Sequence, residues 1–309
     1  MAHTLWNRKD LLGLEGLSRP EVEAILDLAA AFKKSPPDPK LKGRFLAFLF
    51  SEPSTRTRSA FETAALRLGA SVLGFSATAS SLAKGETLLD TVRNLEALGV
   101  SYIVARQETS GALDAVAPKT QASILNAGDG RREHPTQALL DLFTLREKKD
   151  RLEGLKVVVV GDALHSRVAR SNLCGLRTMG ARVVFCGPRS LVPEGFARLG
   201  AKIERDLDAA LKGADAIYCL RLQLERQKDN FFASLADYRA AYGLTARRLA
   251  LAPEAVVMHG GPLNRGVEID DAPADGPQSA ILPMVENGVY VRMAAFSLIE
   301  DWRRRHDLA

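Results

Sequence analysis

Ser54-Thr55-Arg56-Thr57-Arg58 sets three hydroxyls and two guanidinium groups in unbroken succession. They follow the apolar run Phe45 to Phe50 and the turn residues Ser51-Glu52-Pro53. They precede Ala60, Phe61, Ala64, Ala65 and Leu68, which recur at helical spacing before Gly69. The run is short enough for a buried strand, and the glycine suits a helix C-terminus. The cluster therefore stands at a strand-to-helix junction, where unpaired backbone N–H groups and the positive end of a helix dipole favour anions. Hydroxyls and guanidiniums added there make a phosphate cradle. The competing reading is a capped, solvated helix start with Ser54 as its N-cap.

Five further places share that setting. Arg106 stands at the end of a strand read at Tyr102 to Ala105. His134 and Gln137 open a helix whose first turn holds Pro135, an accepted helix start. A lone histidine of this kind is as often structural as functional. Arg167 follows the turn Gly161-Asp162 after the strand Lys156 to Val160. Arg221-Leu222-Gln223 follows the strand Asp215 to Leu220, and His259-Gly260-Gly261-Pro262 follows Val256 to Met258. Gly-Gly-Pro permits close backbone approach to a ligand, although a tight turn explains it equally.

The elements needed to position these residues alternate between strand and helix. Ser18-Arg19-Pro20-Glu21 has the form of a capping box opening a helix with Val22, Ile25, Leu26 and Ala29 on its apolar face. Ser71 to Phe75, Ala122 to Leu125, Arg182 to Cys186 and Ala201 to Glu204 supply further strands. The expected class is α/β: two domains, each a mostly parallel sheet flanked by helices, joined by interdomain helices. Ligands in such sheets collect at the carboxyl ends of strands. The charged stretch Glu147 to Arg151 suggests domains at 1–148 and 149–291. A C-terminal helix over 292–309 is expected to pack back on the first, and its closing Arg303-Arg304-Arg305 suits the helix dipole.

With 309 residues, 46% hydrophobic and 26% charged, the chain has the composition of a globular protein and is long enough for two cores. No apolar run approaches a membrane span and the start does not read as a signal peptide, so a cytoplasmic protein with no membrane association is expected. The net charge of +5 is dispersed among acids without nucleic-acid motifs, which argues for small anionic substrates and no nucleic acid. Cys174, Cys186 and Cys219 are odd in number and widely spaced, against both a disulfide framework and a zinc site. No Gly-x-Gly-x-x-Gly or Walker A sequence is present. No metal or cofactor is expected.

Taken in order, these motifs resemble the aspartate/ornithine transcarbamoylase family over nearly the whole chain. The resemblance rests on Ser54 to Arg58, Ser80 to Lys84 with Gly85-Glu86-Thr87, Arg106, His134 to Gln137, Gly161-Asp162 with Arg167, Arg221 to Gln223 and His259 to Pro262. It implies carbamoyl transfer from carbamoyl phosphate, with the amine of L-aspartate as acceptor in pyrimidine synthesis. Position by position, it implies that Ser54, Thr55, Arg56, Thr57 and Arg106 hold the phosphate. Thr57, Arg106 and His134 would face the carbamoyl oxygen, and Gln137 with the backbone near Gly261-Pro262 the carbamoyl nitrogen. Arg167, Arg221 and Gln223, with Lys84, would hold aspartate.

The resemblance also implies that Ser80 or Ser81 and Lys84 reach into a neighbouring subunit's site. The expected assembly is then a homotrimer with shared active sites, with a regulatory chain or a dihydroorotase as possible partners. One departure is Gly260, where the family usually has proline, which leaves the stiffness of that loop open. Ornithine as acceptor would call for fewer arginines and a cysteine in the last motif. A non-catalytic anion-binding homologue would be expected to have lost part of the constellation, and every named position is present.

Overall fold

The computed structural model describes residues 6–74, 85–223 and 234–308. They divide into two compact units, residues 1–140 with 285–309 and residues 141–284. Each is a parallel sheet flanked by helices.

In the first unit, β1 (Phe45–Phe50), β2 (Ser71–Leu73), β3 (Val100–Gln107) and β4 (Ser123–Asp129) lie in the order β2-β1-β3-β4. Leu46, Ala47, Phe48 and Leu49 are fully buried, as an apolar run covered on both faces should be. Helix α1 (Arg19–Lys34) opens with the expected capping box, and Val22, Ile25, Leu26 and Ala29 are buried along it. Helix α2 (Thr55–Arg67) follows β1, α3 (Leu88–Ala97) precedes β3, and α4 (Pro135–Lys149) follows β4.

The second unit holds β5 (Lys156–Val160), β6 (Arg182–Cys186), β7 (Lys202–Glu204), β8 (Ala216–Cys219) and β9 (Val256–Met258), ordered β7-β6-β5-β8-β9. Helix α5 (Arg167–Thr178) follows β5, with Ser166 capping its start. Cys186 and Cys219 are buried. Burial pushes both thiols up, Cys186 to about 12, so they serve as small core residues.

Several boundaries differ from the sequence reading. β2 ends at Leu73, and Phe75 lies outside the described residues. β3 runs through Arg106, so this arginine belongs to the strand and does not follow it. β4 continues through Asn126-Ala127-Gly128-Asp129 because the register shifts between Ala105 and Gln107, letting Gln107 pair with Asp129. The charged stretch at 147–149 is the end of α4, its basic residues placed at the negative end of the helix dipole.

The C-terminal helix α6 (Ile281–Arg305) starts well before residue 292. Phe296 meets Phe61 and Tyr102 edge-to-face, and Glu300 is fully buried. Its carboxylate accepts from Arg44 at 2.9 Å, the Tyr102 hydroxyl at 2.5 Å and Arg304 at 2.8 Å. The closing arginines are structural: Arg303 donates to the Gln121 carbonyl, Arg304 to that of Lys40 and Arg305 to that of Trp6. No helix among the described residues is long and apolar enough to cross a membrane.

Burial alone would raise the Glu300 carboxyl, but the bonds from Arg44, Tyr102 and Arg304 hold it below its ordinary 4.5. A folded-state pKa below the unfolded one contributes stability above the ordinary value, and that contribution is lost as pH falls through the folded one. Glu300→Gln should therefore destabilise the protein by about 3 kcal/mol near neutrality, with the difference from wild type shrinking in acid below the ordinary 4.5. Urea unfolding at two pH values checks this; an unchanging difference would separate the effect from the charge.

Candidate active site

Both sheets contain a point where the strand order reverses. In the first, the chain moves from β1 outward to β2, then returns to β3 and β4 on the other side. In the second it runs from β5 through β6 to β7, then crosses to β8 and β9. At such a point the loops leaving neighbouring strands diverge and open a crevice at the carboxyl edge. The loops concerned are those after β1 and β3, and those after β5 and β8.

After β1 the chain turns through Ser51 to Ser54 into α2. Ser54 occupies the N-cap position, yet its side chain makes no capping hydrogen bond, unlike the N-cap serines of α1 and α5. The first N–H groups of α2 have no intrahelical acceptor, so the hydroxyl and the amides share one helix entrance. Thr55 and Arg56 are exposed there and Thr57 is buried. Arg58 is used differently: its guanidinium lies over the Phe48 ring, 5.0 Å from the centroid.

Parallel pairing places Arg106 beside Phe50, at the mouth of this turn. The Arg106 carbonyl accepts from the Ser51 N–H at 3.0 Å and the Ser51 hydroxyl at 3.1 Å. Its Nε donates to Glu52 at 3.0 Å, and Nη1 to the Ala127 carbonyl at 3.4 Å. The guanidinium is thus held at the edge of the cradle by an acid of the cradle's own turn.

His134 is buried at 4% exposure, and its carbonyl accepts from the N–H groups of Gln137 and Ala138 at the start of α4. The chain reaches it through a buried polar network. Asn126 Nδ2 donates to Leu12 O and to Asp129 Oδ1, and Asn126 Oδ1 accepts from the Gly128 N–H, all within 2.8 Å. Asp129 also accepts from Glu133 N at 3.1 Å and Gly111 N at 2.7 Å. Glu133 in turn accepts from the backbone of Leu14 and Glu15. These bonds fix the irregular end of β4 and the loop that leads from it to His134.

In the second unit the turn after β5 begins at Gly161. Its φ is +116°, and a Cβ there would come within 2.9 Å of the Tyr238 hydroxyl and 3.0 Å of Leu220 O, so the turn demands glycine. Asp162 and His165 follow, both buried. The carboxylate oxygens lie 2.9 and 3.0 Å from His165 Nδ1, which must carry the proton, and Oδ1 accepts the His165 N–H at 3.1 Å. Arg167, the first residue of α5, is buried at 5% exposure. The His165 carbonyl accepts from Gln223 Nε2 at 3.3 Å, joining the loop after β5 to the one after β8. Arg221 and Gln223 are half-buried, with Leu222 between them in the core.

After β9, the Gly261 N–H donates to His259 Nδ1 at 2.7 Å. Gly261 has φ +60° and its bond to Pro262 is cis. This hydrogen bond holds the turn at the position where the family's proline is replaced by Gly260.

Of the positions singled out in the sequence, Ser54, Thr55, Arg56, Thr57, Arg106, His134 and Gln137 gather at the carboxyl edge of the first sheet. Arg167, Arg221, Gln223, Gly261 and Pro262 gather at that of the second. Ser80, Ser81 and Lys84 lie outside the described residues. The sequence reading gave no role of their own to Glu52, Asn126, Asp129, Glu133 or the Asp162–His165 pair. Among the described residues, no group of His, Cys, Asp and Glu side chains could hold a metal ion.

Residues 9–147 match the family described as aspartate/ornithine carbamoyltransferase, carbamoyl-P binding domain, and residues 153–299 match its Asp/Orn binding domain. The aspartate carbamoyltransferase catalytic subunit of Sorangium cellulosum is 52% identical over 96% of this chain and 94% of its own length. That of Myxococcus xanthus is 53% identical over 93% and 97%. Among solved structures, aspartate transcarbamoylase from Trypanosoma cruzi, in complex with carbamoyl phosphate and aspartate, superimposes with a TM-score of 0.84 at 32% identity, covering 96% of this chain and 98% of that one. Ornithine carbamoyltransferase from Pyrococcus furiosus gives 0.82 at 31%, covering 95% and 97%. The fold therefore does not separate the two acceptors, whereas relatives near 50% identity carry the aspartate name.

The network below His134 can be probed by itself. Asp129→Asn puts an amide N–H where one of three donors now meets an oxygen, and should lower stability by roughly 2 kcal/mol. Urea unfolding measures the loss, and an unchanged midpoint would show that the carboxylate does not hold this loop.

Proposed function

The chain belongs to the aspartate/ornithine carbamoyltransferase family, and we propose that it works as the catalytic chain of an aspartate carbamoyltransferase. It transfers the carbamoyl group of carbamoyl phosphate to the amine of L-aspartate, giving N-carbamoyl-L-aspartate and phosphate for pyrimidine biosynthesis. The observation that carries the reading is the placement of anion-binding residues at the reversal point of each sheet, hydroxyls with Arg56 and Arg106 in one and Arg167 with Arg221 in the other. One site suits a phosphate, the other a dicarboxylate.

In this reading residues 1–148 bind carbamoyl phosphate and 149–291 bind aspartate. Ser54, Thr55, Arg56, Thr57 and Arg106 hold the phosphate. Thr57, Arg106 and His134 donate toward the carbamoyl oxygen, while Gln137 and the backbone at Gly261-Pro262 take the carbamoyl nitrogen. Arg167, Arg221 and Gln223, with Lys84, hold the two carboxylates of aspartate. Attack of the neutral amine builds negative charge on the carbamoyl oxygen and then on the departing phosphate. Donors fixed around both lower the barrier, each important one by about 3–4 kcal/mol. The amine attacks the carbamoyl carbon directly, so no nucleophilic side chain is needed, and the departing phosphate takes the amine proton, so no protein base is needed.

The acceptor is aspartate because two arginines with a glutamine complement two carboxylates, whereas a cationic side chain would be repelled. The protein acts in the cytoplasm as a homotrimer, Ser80 or Ser81 and Lys84 completing a neighbour's site. A regulatory chain or a dihydroorotase is the kind of partner that extends this assembly.

Assayed with carbamoyl phosphate, the wild type should turn over L-aspartate and not L-ornithine, and Arg56→Ala should lose about 10²–10³ in kcat. Turnover of ornithine alone would overturn the acceptor, and full activity in Arg56→Ala the cradle. Lys84→Ala and Arg56→Ala, each inactive by itself, should regain activity when their subunits are mixed and reassembled. No recovery would mean that each chain holds a complete site.

A further inference from the structure

β8 and β9 are neighbours in the second sheet, paired from Ala216↔Val256 to Tyr218↔Met258. Beyond this ladder both chains become irregular, and it is there that Arg221 and Gln223 on one side, and Gly261 and Pro262 on the other, are presented. Backbone without a ladder wanders unless other groups fix it. The fixing group is one carboxylate oxygen. Glu268 is buried at 1% exposure, and its Oε1 accepts the Asn264 N–H at 2.6 Å. The same oxygen lies 3.3 Å from His259 Nε2.

The tautomer of His259 follows from its other nitrogen. Nδ1 accepts the Gly261 N–H at 2.7 Å, so the ring proton sits on Nε2 and points at Glu268. One arm from Glu268 thus runs through the imidazole to the Gly261 amide. The second runs through Asn264, whose Nδ2 donates to the Leu222 carbonyl at 3.2 Å, midway between Arg221 and Gln223. Leu222 is itself anchored, packed with Leu191 and Tyr238 while Val267, the residue before Glu268, packs against the same cluster.

We propose that Glu268 and Asn264 are positioning residues for the transfer reaction. Glu268 sets the register between the loop that takes the carbamoyl nitrogen and the one that binds aspartate, and Asn264 transmits that register to Arg221 and Gln223. The inference rests on the function proposed above. Neither residue touches substrate. Each acts by holding backbone whose displacement by even an ångström costs rate far out of proportion to the bond lost.

The two arms can be cut separately. Asn264→Asp keeps the shape and the backbone N–H bond to Glu268 but turns the side-chain donor into an acceptor facing Leu222 O. It should raise KM for aspartate at least tenfold and leave KM for carbamoyl phosphate within threefold; Asn264→Ala is read in its place if the aspartate variant does not fold, with the same split. Glu268→Ala should raise both KM values, and Glu268→Gln, whose amide oxygen can accept both bonds, should restore most of the loss. An unchanged aspartate KM at position 264, an equal rise in both KM values there, or no rescue by glutamine would overturn the proposal. Wild-type turnover of carbamoyl phosphate with aspartate, measured alongside, tests the underlying function independently of the variants.

Discussion

A strand that ends inside a protein leaves its chain with a problem: the N–H and C=O groups beyond the last ladder bond are still shielded from water and must find partners. Most candidate residues of this chain stand on such a stretch or on the helix that follows it, Arg106 at the end of β3 being the exception. The recurring solution is a buried side-chain carboxylate that accepts from one or more backbone N–H groups, and in two cases from a histidine ring as well. Asp129 and Glu133 do this after β4, Asp162 after β5 and Glu268 after β9. The arrangement gives irregular backbone the rigidity of regular structure while leaving its outer face bare for a ligand.

This constraint explains the division of labour among charges. The acids of the network are buried and spent on backbone or histidine, whereas the arginines singled out stand at the carboxyl edges of the two sheets. Arg106 joins the two sets, since its Nε donates to Glu52 and its Nη1 to the Ala127 carbonyl. Arg58 marks the contrast one turn along α2, stacked on Phe48 and committed to packing.

What the sequence disclosed was what is local. The apolar run Phe45 to Phe50, the helix after it and the capping box at Ser18 each advertise themselves within a few residues, and all are present. The ends of β3 and β4 were not legible, because Arg106 joins the ladder through its pairing with distant Phe50, and Asp129 through a register shift that two distant segments make together. Glu52 and Glu268 were missed for a related reason. A single acid carries no periodic signal, and Glu52 meets Arg106 across a sequence separation of 54 residues. The reversal points, by contrast, follow from strand order alone and required the fold.

The first unit is built from both ends of the chain, and the packing of Phe296 and Glu300 against Phe61, Tyr102 and Arg44 closes its core. Synthesis runs from the N-terminus, so the strands of this first sheet are made before the helix that covers them. The second unit holds all its own strands and ends within the first turn of the closing helix, at residue 284. The strands of the first unit therefore precede the whole second unit in the chain while the helix that closes their core follows it, so loss of that helix would leave the first unit unsealed.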